Sequence, residues 1–424
     1  MLKRGYMRKK LLTISIAAYN VQKYLEKTLQ SLVCEADVME QLEVLIVDDG
    51  SVDQTSIVAQ KYVDLYPDTY VLIKKENGGH GSTLNVAASV AHGRYFRMLD
   101  GDDWFDTEAL VKYIRDLSLS DADCIVTPYC HVYEDHMVSI DVHNWINHRK
   151  YNLPEVMDIV QKDGQMTEIQ AHELTVKTDI LQQYGMNLLE KCMYTDKEYV
   201  LFAILYARTF IKLPYYIYQY RLGDAGQSVG SEGRRKHLWD AKKVGFAMLH
   251  ELQASEEYIM DGKHKKYLYN YVLNSVLFFC DSLIYSDEIK NAENILRTLI
   301  KELEKYDQQF AKTLEQTAIY NWWKTFFALV EDYEFVIFGA GRYGECVIEY
   351  LKYCHKQPVA VLDNNQQLWA ATRYGNVIHS PEILLSQHSN AKVIIAIKNQ
   401  PETIEKQLIA MGVSSDRILT FRRQ

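Results

Sequence analysis

EVLIVDDGSVDQT, Glu43–Thr55, carries a buried-strand pattern and the turn that ends it. Val44–Val47 is an unbroken apolar run of strand-favouring residues, the pattern of a strand buried on both faces. Asp48-Asp49-Gly50-Ser51 turns out of it, and the spacing predicts a helix capped by Asp53. Upstream, Leu12–Ala18 repeats the strand pattern. It is followed by helical spacing at Val21, Tyr24, Leu25, Leu29, Leu32 and Val33. Downstream, the strand Tyr70–Lys74 leads into Asn77-Gly78-Gly79-His80-Gly81-Ser82 and another helix. Tyr95–Leu99 then ends in Asp100-Gly101-Asp102-Asp103. Such alternation predicts a mainly parallel sheet flanked by helices. Ligands of such sheets bind beyond the carboxyl ends of the strands, where every polar cluster just named falls.

The pattern changes further along. His131–Val142 reads as a hairpin, Asp196–Tyr206 as a helix and Phe210–Gln219 as a strand. Arg234–Val330 is helical in spacing. Phe335–Phe338 enters Gly339-Ala340-Gly341-Arg342-Tyr343-Gly344, and a helix and a second strand lead to Asp363. The expected division is 1–230, an α/β domain; 231–330, a helical linker or acceptor segment; and 331–424, a small Rossmann-like α/β domain. Glycines followed by an acid about twenty residues on suit a dinucleotide. Gly339, Gly341, Gly344 and Asp363 are the candidate nucleotide residues of that domain, with a structural or assembly role as the alternative.

Composition narrows the function. A net charge of −9 argues against nucleic acid as a partner. Seven scattered cysteines without a CxxC pair suit reduced thiols in the cytoplasm. No apolar run reaches the roughly 18 residues that span a bilayer. The basic start, Lys3, Arg4, Arg8, Lys9 and Lys10, is a candidate for peripheral contact with the inner membrane face, or simply a solvated end. Homo-oligomerisation is left open.

Asp100-x-Asp102 offers carboxylate oxygens at a strand end, the ligands a hard cation such as manganese or magnesium takes. Acidic triplets are common on surfaces, so the context carries the weight. Leu12–Leu32, Glu43–Thr55, Asn77–Ala87 and Gly93–Trp104 follow one another in an order and spacing that closely resemble the N-terminal half of family 2 glycosyltransferases. These are inverting enzymes with the GT-A fold. The resemblance is strong over Leu11–Leu117 and weaker to Gly230.

The resemblance implies a nucleotide-sugar donor, most simply a uridine diphosphate sugar, and a glycan or lipid-linked glycan acceptor in surface or exopolysaccharide assembly. It places Ala17, Ala18 and Tyr19 in the nucleobase pocket, with Asp49 and its neighbour Asp48 on the base. A carboxylate there can accept the uracil N3–H. Gly79 would let backbone approach the donor, and His80 departs from the small residue usual in that loop. Asp100 falls near the ribose, Asp102 at the metal, and Asp103 orients the loop or caps the next helix. Asp196, in Tyr194-Thr195-Asp196-Lys197-Glu198, matches the base that deprotonates the acceptor, with Glu198 as fallback. Tyr220-Arg221-Leu222-Gly223 and Gly226-Gln227-Ser228-Val229 resemble a segment after the acceptor region. Arg221 is a candidate for phosphate, and His172 and Lys177 for the acceptor. The rival readings are a nicotinamide-dependent oxidoreductase or nucleotide sensor, using an NAD-like nucleotide in the last domain, and a non-catalytic polysaccharide-assembly protein.

Overall fold

The structure is a computed structural model and describes residues 10–162, 168–223, 228, 230–329, 333–388, 390–397 and 401–420. The basic residues before 10 and the Gly226-Gln227 and Val229 positions lie outside the described residues. The chain divides into two compact units, Met1–Gln227 with Asp240–Ser275, and Ser228–Trp239 with Val276–Gln424. The helical residues 231–330 are thus shared between the two. Among the described residues no helix is long and apolar enough to cross a membrane.

The first unit contains β1 (Leu12–Ala18), β2 (Leu42–Asp48), β3 (Tyr70–Lys74), β4 (Tyr95–Asp100), β5 (Trp104–Phe105) and β6 (Cys124–Val126). These are followed by β7 (Tyr129–Val132), β8 (Met137–Ile140), β9 (Lys150–Asn152), β10 (Leu174–Lys177), β11 (Thr209–Lys212) and β12 (Tyr218–Arg221). The large sheet runs β3-β2-β1-β4-β10-β6-β11-β9. The four strands read from the sequence form its parallel half, β3-β2-β1-β4. Every residue of β2 is buried, as expected of a strand covered on both faces. The register sets Ala18 beside Asp48 and Ala17 beside Asp100. Period-two packing thereby levels the two acidic strand ends. The antiparallel β10 continues the sheet beyond β4.

A second sheet, β5-β12-β7-β8, accounts for the expected hairpin, β7 and β8 pairing antiparallel. Phe210–Gln219 is not one strand. β11 belongs to the large sheet and β12 to the small one, with Pro214 between them. Proline has no N–H for a ladder, so the chain leaves one sheet there and enters the other. The expected helix over Val21–Val33 is shorter, Leu25–Gln30, because Val21–Tyr24 is spent on a turn closed by Tyr24 N–H to the Val21 carbonyl (2.9 Å).

In the second unit the last sheet comprises β13 (Phe335–Phe338), β14 (Ala360–Leu362), β15 (Thr372–Arg373), β16 (Asn376–His379), β17 (Lys392–Ile395) and β18 (Ile418–Thr420). Its order is β15-β16-β14-β13-β17-β18. All neighbours are parallel except the edge pair β15–β16, so the winding reverses between β13 and β17. Arg234 and Asp281 form a buried ion pair in this unit (2.7 Å), and the Tyr343 hydroxyl donates to the same carboxylate (3.1 Å).

The glycines after β13 are not equivalent. A Cβ on Gly344 would lie 2.0 Å from the Gly339 carbonyl oxygen, whereas one on Gly341 would meet nothing within 4 Å. Gly344 therefore serves close packing, and Gly341 leaves a surface open. We expect Gly344→Ala to lose about 1–3 kcal/mol of stability, the usual scale for overpacking. Gly341→Ala should be neutral or slightly stabilising. Urea unfolding of the two full-length variants checks both; equal midpoints would contradict the assignment.

Candidate active site

Asp49 follows β2 and is buried at 2% exposure. Its Oδ1 accepts from the Gly78 N–H (2.8 Å) and Lys75 Nζ (2.7 Å), and its Oδ2 from the Gly79 N–H (2.7 Å). Asp49 thus holds the glycine loop against the end of β2. Asp48 serves the adjoining turn, its oxygens accepting from the Ser51 N–H (2.9 Å) and the Ser56 hydroxyl. At the end of β1 the Ala17 carbonyl accepts the Gly101 N–H (3.1 Å) and the Ala18 carbonyl the Asp49 N–H (2.9 Å). Tyr19, beyond them, is half exposed. Asp53 accepts the Thr55 N–H (2.9 Å), although Gln54 is the residue that precedes the helix Thr55–Leu65.

Gly79 has φ +83°, which a side chain would strain. It opens the helix His80–Val90. A Cβ on Gly81 would stand 2.1 Å from the Leu189 carbonyl oxygen, and the Lys191 N–H donates to the Gly78 carbonyl. Residues 189–191 therefore lie directly on the glycine loop. His80 completes this join. Its Nε2 is 3.3 Å from Asp100 Oδ1 and its Nδ1 is 3.2 Å from Thr195 Oγ1. Burial disfavours the charged ring, but Asp100, then Asp196 and Asp49, outweigh it and raise the His80 pKa above that of free histidine.

The acidic loop after β4 is held from β12. The Tyr218 hydroxyl donates to Asp103 Oδ2 (2.7 Å), stands 3.2 Å from Asp100 Oδ2 and accepts the Asp100 N–H (3.3 Å). Asp103 is buried, and its other oxygen accepts the Arg221 N–H (2.7 Å). Burial first, then Asp100 and Asp102, push its pKa well up. Burial acts the same way on Asp100, but the bonds from His80 and Tyr218 prevail and hold its pKa below the usual value. Asp103 orients the loop, as expected. It does not cap the next helix: Asp106 does, accepting the Ala109 N–H (2.8 Å).

Arg221 Nε donates to the Asp102 carbonyl (2.9 Å), and its guanidinium lies over the rings of Tyr24 (4.6 Å) and Trp104 (5.1 Å). It braces the loop that carries Asp102, which is partly exposed. Among the described residues no three histidines, cysteines or carboxylates gather tightly enough to hold a metal by themselves.

Asp196 is the first residue of the helix Asp196–Tyr206, directly after the Thr195 that meets His80. Burial raises its pKa, with His80 and Lys197 opposing and Asp100 adding to the rise. Glu198 turns back to the preceding segment, accepting the Leu189 N–H at 3.4 Å. Burial, assisted by Asp196 and Glu251, takes its pKa up to about 8. His172 is wedged among Tyr129 (4.0 Å), Tyr220 (5.2 Å) and Tyr218 (5.5 Å), and burial takes its pKa down to about 3. Lys177 is paired with Asp123 (2.7 Å). In the other unit Asp363 bonds the glycine loop itself, accepting the Ala340 N–H (2.9 Å) as well as the Asn365 N–H (2.8 Å).

Asp48, Asp49, His80, Asp100, Asp102 and Asp196 are thus tied into one connected region. Sequence reasoning did not single out Tyr218, Lys75 or Thr195, which do much of the tying. The alternation of Tyr218 with Tyr220 on β12 is the local signal that could have found the first of them.

Residues 13–183 match the family described as Glycosyl transferase family 2. The minor teichoic acid biosynthesis protein GgaB of Bacillus subtilis is 34% identical over 91 residues, 22% of this chain and 10% of that protein. The chondroitin synthase of Pasteurella multocida is 31% identical over 169 residues, 39% of this chain and 17% of that one. This chain matches well under half the length of either relative. Among solved structures, Staphylococcus aureus TarS 1–349 in complex with UDP-GlcNAc aligns with a TM-score of 0.48 at 16% identity, covering 74% of this chain and 92% of that one.

Glu198 makes the site sensitive to pH. Between about pH 4.5 and pH 8 the folded chain keeps a proton that the unfolded chain releases, so stability falls as pH rises through that window. Glu198→Gln removes the titration. We expect its stability, measured by urea unfolding from pH 5 to pH 9, to fall less steeply than that of the unsubstituted protein. Parallel curves would show that Glu198 ionises freely in the folded chain.

Proposed function

Since this chain carries a family 2 glycosyltransferase domain over residues 13–183, we propose that it moves a sugar from a uridine diphosphate sugar to a glycan or lipid-linked glycan acceptor, with inversion and with a divalent metal. The observation that carries this reading is the junction at His80, which joins Asp100 at the end of β4 to Thr195 and Asp196 at the start of a helix. The donor motif and the candidate base thereby become neighbours.

The chemistry follows from that junction. The acceptor hydroxyl attacks the anomeric carbon in line as the bond to the diphosphate oxygen breaks, and the nucleoside diphosphate departs with the bonding electrons. Asp196 takes the hydroxyl proton, and its raised pKa makes it a stronger base than an ordinary carboxylate. Asp49 is a carboxylate with about four acceptor sites. Gly78, Gly79 and Lys75 already bond it and it is 2% exposed, so the N3–H of uracil would have to take the remaining lone pair of Oδ2. Ala17, Ala18 and Tyr19 would flank that base.

Asp100 and Asp102 present hard oxygen donors, the chemistry that suits manganese or magnesium. Such a cation would offset charge on the leaving diphosphate. Arg221 and Tyr218 keep the loop that bears these carboxylates in place. The names of two relatives, a teichoic acid biosynthesis protein and a chondroitin synthase, support a place in surface polymer assembly without fixing the charge of the acceptor. We assign the chemistry to residues 1–230, a linking or acceptor role to 231–330, and nucleotide binding or assembly to 331–424.

Two substitutions test the division of roles. Asp196→Asn should lower transfer about a hundredfold or more, the usual scale for a lost base, while calorimetry shows unchanged binding of uridine diphosphate. Asp102→Asn should abolish the manganese- or magnesium-dependent release of nucleoside diphosphate from a panel of nucleotide sugars. Wild-type turnover by Asp102→Asn, or in excess chelator, would refute the metal mechanism. Near-normal transfer by Asp196→Asn beside an inactive Glu198→Gln would move the base to Glu198.

A further inference from the structure

β12 and β7 pair in parallel, with Tyr220 opposite His131. From that pair a run of rings continues outward. The centroids are 5.8 Å apart from Tyr220 to His131, 6.4 Å from His131 to Tyr133, and 4.5 Å from Tyr133 to a stacked His136. The inner end lies at the carboxylates. Tyr218, two residues earlier on the same strand, bonds Asp103 and Asp100, and the N–H of the next residue, Arg221, donates to Asp103 Oδ1 (2.7 Å); burial, then these carboxylates, push the Tyr220 phenol up. The outer end is open: Tyr220, His131 and Tyr133 are partly exposed, and His136 is exposed.

Core packing accounts for the buried rings of Tyr129 and Tyr218 beneath this strip; the outermost stack sits at the hairpin turn, where the Tyr133 N–H donates to the His136 carbonyl (2.8 Å) and His136 Nδ1 stands 2.6 Å from Asp135 Oδ1. Resting on the reading of glycosyl transfer, we propose that Tyr220, His131, Tyr133 and His136 form a subsite that holds successive uncharged sugar rings of the acceptor, leading its terminal hydroxyl to Asp196. A sugar ring has one or two faces of C–H groups and a rim of hydroxyls. Aromatic rings with polar tips match both, the ring meeting the C–H face and the phenol or imidazole nitrogen the hydroxyls. Several rings in line suit a molecule that repeats.

Charge decides which repeating molecule. Successive residues of a strand face opposite ways, and Arg221, next to Tyr220, accordingly lies over Tyr24 and Trp104. No lysine or arginine belongs to the strip; the exposed Glu134 flanks its outer end, and Asp135 beside it pairs with His136 (2.6 Å). Phosphate or uronate units would meet repulsion there, whereas neutral sugars would not.

The test is retention of the full-length protein on an array of bacterial glycans, with uridine diphosphate present. The unsubstituted protein should be retained by at least one neutral oligosaccharide. His131→Ala with Tyr133→Ala should weaken retention at least tenfold, and Tyr133→Phe should keep it, since the ring face survives. Calorimetry with uridine diphosphate should give the same affinity for both proteins, placing the loss outside the donor site. If the double variant does not fold, His136→Ala at the surface is read instead and should weaken retention in the same direction. Undiminished retention by the variants, no retention by the unsubstituted protein, or retention only by phosphate- or uronate-bearing glycans would overturn the subsite. Glycan retention without hydrolysis of any nucleotide sugar would instead sink glycosyl transfer and leave the strip standing.

Discussion

Repulsion between like charges is the constraint on which the rest of the first unit depends. Asp48 ends β2 and Asp49 follows it, Asp100 ends β4 with Asp102 and Asp103 just beyond, and Asp196 opens a helix that reaches the same region. Two unit charges 4 Å apart near a protein surface repel by about 4 kcal/mol, so such a group persists only if each member has its own compensation. Asp49 has Lys75 and two backbone N–H groups, Asp100 has His80, and Asp103 has the Tyr218 hydroxyl and the Arg221 N–H. Asp100 and Asp103 shift in opposite directions: burial raises both, the bonds from His80 and Tyr218 outweigh it at Asp100, and the charges of Asp100 and Asp102 add to it at Asp103.

The compensating groups also fix geometry. His80 cannot satisfy Asp100 and Thr195 together unless the helix Asp196–Tyr206 starts beside the glycine loop. The absence of a side chain at Gly81 lets Leu189 come close enough for that. Packing and electrostatics therefore ask for the same approach of two segments more than 100 residues apart.

A buried cation lies below. Arg97 is fully buried on β4 and bonds Thr175 (3.0 Å), Thr127 (3.1 Å) and the carbonyls of His172 and Glu173. Burial lowers its pKa. By gathering these carbonyls and hydroxyls it secures the turn that carries His172, and with it the ring against which Tyr220 stacks.

The strands of the parallel half, and the acidic or glycine-rich turns at their carboxyl ends, are legible in the amino-acid sequence. These depend on short-range periodicity and on residues that end strands, information held within a dozen positions. It also determined that Asp196 begins a helix, since an acid before an apolar run is a local signal. It misread Phe210–Gln219, where the switch between sheets depends on which partner each half finds. What each carboxylate bonds is set by the folded chain. Tyr218 reaches Asp103 and Asp100 across 115 and 118 positions, and His80 reaches Thr195 across 115. A hydroxyl or imidazole carries no mark in the sequence of the acid it will meet. That pairing is set by strand register and by the close approach that a glycine permits, and both exist only once the chain has folded.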